Sequence, residues 1–369
     1  MMTKGLIKLL ALFSLTVSAA NPTTNQYQSE VFFVGGQYKK VNNSTLFTGQ
    51  MFVEKWTPEK VTQPLPIVLI HGAGQSAVNW MTTPDGRKGW AHYFINQGYV
   101  VYMVDQPARS RSAWHPTTNG DLRIFSAEVI EKKFTASAQF EGQWPQAGLH
   151  TQWPGSGRQG DPVFDQYYSS IVESLKSHVE SSELVSAAGV ALLDKIGPAI
   201  LLTHSQSGPF GWLIADKRPN LVKAIVTIEP SGPPIKNKAG KSSLPWGVSV
   251  IPVTYEPAIA MPEELVVAQQ PITDSKTLVR CWEQQEPARQ LVNLKDIPVL
   301  FMVSESSYHA EYDHCTSNWL TQAGVNNDFL RLEQQGIHGN GHMLMLEKNN
   351  MEIVNLINSW LLKKTAALN

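Results

Sequence analysis

Short, mostly apolar runs recur along the chain. They are Pro66-Ile67-Val68-Leu69-Ile70, Tyr99–Val104, Pro198–Thr203, Val222–Ile228 and Pro298–Val303. Runs of this length, bounded by proline, glycine or histidine, suit strands covered on both faces. Between them, apolar residues at helical spacing predict helices over 87–97 (closed by Gly98), around 165–195, and over 207–217, 311–323 and 347–363. A short strand is expected near 328–333. Residues 29–57 read as β structure, with Val31–Val34 and Met51-Phe52-Val53 as strands and Gly35-Gly36 as the turn. Strands that alternate with helices predict an α/β fold: a mostly parallel central sheet with helices on both faces.

Residues 112–164 and 231–295 break this rhythm. They are rich in glycine, proline and tryptophan (Trp114, Trp144, Trp153, Trp246, Trp282) and show little periodicity. Loops of that length are uncommon unless they serve a function. Both read as insertions that form a cap over the carboxyl edge of the sheet, where open α/β sheets bind ligands. The rest of the chain, from residue 21 to 369, reads as one domain.

The first twenty residues follow a different pattern. Lys4 and Lys8 precede an apolar stretch, Leu9–Val17, and the small residues Ser18-Ala19-Ala20 follow it. This is the layout of a signal peptide, and Asn21-Pro22 ends the apolar run too soon for a spanning helix. The expected location is secreted or periplasmic, with no membrane span in the mature chain. Two overlapping glycosylation sequons, Asn42-Asn43-Ser44-Thr45, have meaning only in a eukaryotic source.

Composition narrows the function classes. Of 369 residues, 42% are hydrophobic and 17% charged, which excludes a disordered or coiled-coil chain. The formal net charge is -1, so there is no basic footprint for nucleic acid. Cys281 and Cys315 are the two cysteines, and an exported chain allows them to pair. Oligomeric state is not legible, and a homodimer is one reading of it.

The candidate chemistry lies where strands end. In Thr203-His204-Ser205-Gln206-Ser207-Gly208 a strand gives way to a serine and then to a helix. Small residues flank that serine, as in the nucleophile elbow usually written G-x-S-x-G, although Thr203 and Ser207 replace the glycines. A serine that merely caps a helix is the plainer alternative. His71-Gly72-Ala73-Gly74 follows an earlier strand and suits an oxyanion loop. The expected donors are the backbone N–H groups of Ala73 and Gln206, each worth about 3 kcal/mol to a transition state. Gly74 is a further pocket candidate. Gly341-His342 before the last helix supplies a general base, with His338 as competitor. For the acid, Glu229 and Glu305 each follow a later strand, and Asp313 is a third choice. Trp144 and Trp153 are candidate pocket residues in the cap. His309, His314 and Cys315 are close in sequence but match no metal-ligand spacing, so neither a metal nor an organic cofactor is expected.

Together these segments resemble the α/β-hydrolase superfamily. More narrowly, they resemble the exported bacterial esterases typified by esterase 713. Phe32–Gly36, Leu69–Gly72, Thr83–Trp90, Val104-Asp105-Gln106 through Ser112, His204–Gly208, Glu229-Pro230 and Gly336–Met343 carry the likeness. The resemblance implies a catalytic triad of Ser205, His342 and Glu229, because that group places its acid after the strand that follows the nucleophile. It implies a serine esterase that acts on a small-molecule ester through an acyl-enzyme. Ala73-Gly74 and both insertions depart from the group, so substrate identity does not carry over. Lactone, amide or polyester hydrolysis by the same triad, or a non-catalytic binding module on the same fold, are the alternatives.

Overall fold

A computed structural model describes residues 26–271 and 275–365. The expected signal peptide, residues 1–20, lies outside them. Eight strands form the central sheet: β1 (Tyr27–Val41), β2 (Ser44–Pro58), β3 (Ile67–Ile70), β4 (Val101–Asp105), β5 (Ala199–His204), β6 (Val222–Ile228), β7 (Val299–Val303) and β8 (Asn327–Arg331). Their spatial order is β1-β2-β4-β3-β5-β6-β7-β8. β1 and β2 form an antiparallel hairpin, β2 pairs antiparallel with β4, and β3 to β8 are parallel to one another.

The continuous apolar runs are strands buried on both faces. Ile67, Leu69, Ile200 and Leu202 point into one core, and Val68, Ile70 and Leu201 into the other. Each such side chain contributes about 1.5–3 kcal/mol on full burial. The main helices are α1 (Trp90–Asn96), α2 (His178–Ile196), α3 (Ser207–Lys217), α4 (Asp313–Gln322) and α5 (Asn350–Thr365). The segment expected as one helix over 165–195 is two, Pro162–Ser169 and α2. The two-residue strand Ser174–Leu175 separates them and pairs with Leu122–Arg123.

The first hairpin corrects one expectation. Its turn is at Asn42-Asn43, between β1 and β2, and not at Gly35-Gly36. Those glycines lie within β1, where Gly35 passes against α2: a Cβ there would sit 3.0 Å from the Ala188 Cα.

The two irregular segments part company. Residues 112–164 supply Arg123, Phe125, Lys133 and Phe134 to the cavity above Ser205, whereas 231–295 supplies only Ser231. Much of the second segment packs away from it. Trp246, Val248, Val253, Tyr255 and Leu265 join the core of α2 and Trp319. The reason is compositional: its apolar residues complete a core face that the helices alone leave open. Cys281 and Cys315 are disulfide-bonded and tie this segment to α4.

Candidate active site

The carboxyl ends of β5, β6 and β7 converge on one point. Ser205 follows β5 with φ of 56°, a left-handed conformation that few non-glycine residues adopt. The turn is held from both sides. The Ser207 hydroxyl accepts from the His204 N–H at 2.8 Å and donates to the Ile70 carbonyl at 2.7 Å. Ser207 therefore stitches the elbow to β3, which a glycine there cannot do. The bulk of Thr203 is met by Gly211, whose added Cβ would lie 3.0 Å from the threonine methyl. Gly208 lets α3 approach the next loop, since a Cβ there would fall 2.1 Å from Pro230 Cβ.

The Ser205 hydroxyl lies 3.0 Å from His342 Nε2, and His342 Nδ1 lies 2.5 Å from Glu229 Oε2. Glu229, at the end of β6, is fully buried. It accepts from the Ser304 N–H at 2.9 Å, the Ser307 hydroxyl at 2.7 Å and the Ser304 hydroxyl. Burial pushes its carboxyl up, while the charge effect of His309 and these donors pull it back. Burial also holds His342 well below the usual histidine range, and His309 and the Lys133 charge push the same way. A neutral imidazole with its proton on Nδ1 leaves Nε2 free to accept from serine.

The competing pair stands elsewhere. His338 Nδ1 is 3.1 Å from Glu305 Oε1, and the Gly339 N–H donates to Glu305 at 2.8 Å. They bond to each other, with no bond to Ser205 among the described residues. Asp313 instead meets His309 Nδ1 at 2.9 Å.

The N–H groups of Ala73 and Gln206 have no acceptor among the described residues, and both residues line the cavity that Ser205 lines. Arg109 fixes both loops, donating to the Gly72 carbonyl at 2.9 Å and to Gln206 Oε1 at 3.1 Å. His71 is neutral, pulled down to about 3 by burial and the Arg109 charge. It accepts from the Gln106 N–H and shapes the loop. The Gly74 N–H is spent on the Ser174 hydroxyl at 2.8 Å. Gly74 does not line the cavity, and its φ of 70° explains the glycine.

The two cap tryptophans are packing groups. Trp153 is buried against Tyr167, and Trp144 lies edge-on to Tyr308 and donates to the Ser306 carbonyl. Neither lines the cavity at Ser205. The rings around His342 are others. Phe134 stacks on one side at 5.1 Å and His309 lies parallel at 4.8 Å, while the Tyr308 hydroxyl is 3.3 Å from Nε2. Tyr308, His309, Phe134, Arg109 and the two serines after β7 escape a reading of the sequence. Only Ser304-Glu305-Ser306-Ser307 at a strand end carried a signal.

Among the described residues two groups have metal-binding geometry, Cys281 with His314 and Cys315, and the fully buried Glu229 with His309 and His342. The first has both sulfurs in the disulfide. The second consists of groups already bonded to one another or to Asp313.

The profile of the alpha/beta hydrolase family matches residues 67–355. The chain belongs to the alpha/beta hydrolase family. This member is 46% identical over 345 residues to a protein named probable secreted lipase phiG, from Fungal sp. (strain ATCC 74256). That match covers 90% of this chain and 89% of the relative. A solved structure described as a novel bacterial esterase superposes with a TM-score of 0.63 at 25% identity, covering 95% of this hydrolase-family chain and all of the other.

Proposed function

We propose that this chain is an exported serine hydrolase that cleaves carboxylic esters. The observation that carries the reading is the continuous hydrogen-bonded line from Ser205 through His342 to Glu229, beside two unspent backbone N–H groups. His342 Nε2 takes the serine proton as Oγ attacks the ester carbonyl. The oxyanion is received by the N–H groups of Ala73 and Gln206, and Glu229 stabilises the imidazolium. His342 then gives its proton to the departing alcohol, and an acyl-serine remains. Water, deprotonated by the same nitrogen, releases the acid and restores the serine. This sequence asks for no metal or organic cofactor.

The relative's name, a secreted lipase, and the neighbour's description, an esterase, support ester hydrolysis. The cavity at Ser205 holds about 200 Å³, which favours a short acyl chain. A drug-sized ligand takes about 300–1,000 Å³. Export rests on the residue 1–20 pattern, on the relative's name and on the disulfide. Among the described residues no helix is long and apolar enough to cross a membrane. Hydrolysis of 4-nitrophenyl butyrate by residues 21–369 tests the reading. Ser205→Ala is expected to lower the rate at least about 10³-fold. Full activity in that variant would overturn it.

A further inference from the structure

The cavity above Ser205 has a charged wall that acyl transfer does not need. Arg123 and Lys133 both line it, and no aspartate or glutamate does. Arg123 stands on the short Leu122–Arg123 strand, with its guanidinium 5.3 Å from the Phe125 ring centre. Its Nε is buried and has no hydrogen-bond partner among the described residues. Lys133 projects from the turn Glu131–Thr135, its Nζ 5.3 Å from the Tyr308 ring centre. Neither cation has an ion pair among the described residues. Three acids close to them in the chain or fold are engaged elsewhere: Glu131 with Arg158, Asp121 with Lys176, and Glu180 with the Gly120 N–H. His178, on the same wall, is pulled down by burial and by the Arg123 charge. A buried guanidinium nitrogen without an acceptor is costly, and two like charges facing one hollow repel. The oxyanion does not explain them, because backbone N–H groups are already available for it.

We infer that the preferred substrate is an ester bearing a carboxylate, which Arg123 and Lys133 hold while Ser205 attacks the ester carbon. Arg123 presents a planar fork suited to a carboxylate, and Lys133 adds charge near the base. The inference rests on the ester-hydrolase reading of this site and specifies its substrate class. The carboxylate could lie on the acyl or the alcohol half.

Matched pairs separate these cases. Monoethyl adipate against ethyl hexanoate places the charge on the acyl half, and 4-acetoxybenzoate against phenyl acetate on the alcohol half. The readout is the ratio of kcat/KM, anionic over neutral, at a pH where the base is neutral. One pair is expected to give a ratio of about 10 or more at low salt, falling as ionic strength rises. Arg123→Met and Lys133→Met are each expected to lower that ratio on the order of 10-fold, and Arg123→Lys less. A ratio at or below one in both pairs overturns the inference. So does a high ratio that survives in the double Met variant. Ratios are insensitive to the amount of folded enzyme. Failure of the parent reading looks different: no ester of either charge is cleaved and Ser205 is not labelled by a fluorophosphonate.

Discussion

Replacing Glu229 by glutamine changes one oxygen for an NH₂ group, and the structure dictates which one. The Ser304 backbone N–H points at Oε1 from 2.9 Å and cannot turn away, so the amide oxygen must take that place. The NH₂ group then occupies the position of Oε2, 2.5 Å from His342 Nδ1. There it donates, which drives the imidazole proton from Nδ1 to Nε2. Ser205 then faces an N–H and not a lone pair, and the general base is gone. The analogous loss of tautomer in a serine protease costs about 10⁴ in kcat, or about 5.4 kcal/mol of transition-state stabilisation. Glu229→Gln is therefore expected to lose about 10⁴-fold in kcat on 4-nitrophenyl butyrate, with near-native circular dichroism. Glu305→Gln is expected to stay within about threefold, because that carboxylate bonds His338 and the Gly339 N–H. A folded Glu229→Gln variant with more than a tenth of native kcat would refute the reasoning. So would a collapse of activity in Glu305→Gln.

Three further outcomes follow from the same geometry. Burial and the Lys133 charge hold His342 below its usual range, so kcat/KM is expected to fall with acid only well below pH 6.5. Lys133→Met removes a positive charge, raises that pKa and moves the acid limb to higher pH; an unmoved limb in a pH-rate profile contradicts this. Glu347 is buried and accepts from the Gly341 N–H at 2.9 Å and Asn340 Nδ2 at 2.7 Å, and meets His150 Nε2 at 2.7 Å. Glu347→Ala leaves those three groups without that partner, with an expected cost of about 3 kcal/mol in urea unfolding and lower kcat from a loosened His342 loop. A change below about 1 kcal/mol counts against it. Removing the Cys281–Cys315 bridge, which spans 34 positions, is expected to cost about 3–4 kcal/mol, read from the denaturation midpoints of the double serine variant.

β3, β4, β5 and β7 were legible because a parallel strand buried on both faces reads as an apolar run, whereas the edge strand β8, Asn327–Arg331, is only partly buried and carries no such run. α3 and β6 fall where the periodicity placed them, at 207–217 and 222–228. Gly35-Gly36 carries turn chemistry, yet inside β1 Gly35 serves close passage against Ala188 and Gly36 passage against the Phe47 ring. Ser205, His342 and Glu229 stood out as candidates because each lies in a loop that follows a strand of the sheet, and the structure brings the three side chains within hydrogen-bond distance. Tyr308, His309, Phe134 and Arg109 were not visible. Their roles come from contacts between segments far apart in sequence, such as Phe134 on His342 or Arg109 across Gly72 and Gln206. The cap tryptophans were assigned by segment alone, and a segment does not say which way a side chain faces.

The central claim is that Ser205 is the nucleophile. Diethyl 4-nitrophenyl phosphate carries a good leaving group and phosphorylates an activated serine. Treating residues 21–369 with it and mapping the adduct by peptide mass spectrometry tests the claim directly. The account predicts one diethylphosphoryl group per chain, on the peptide holding His204-Ser205-Gln206, with esterase activity lost in proportion and no adduct in Ser205→Ala. Activity that persists after complete labelling of Ser205, or is lost by labelling another residue, would contradict it.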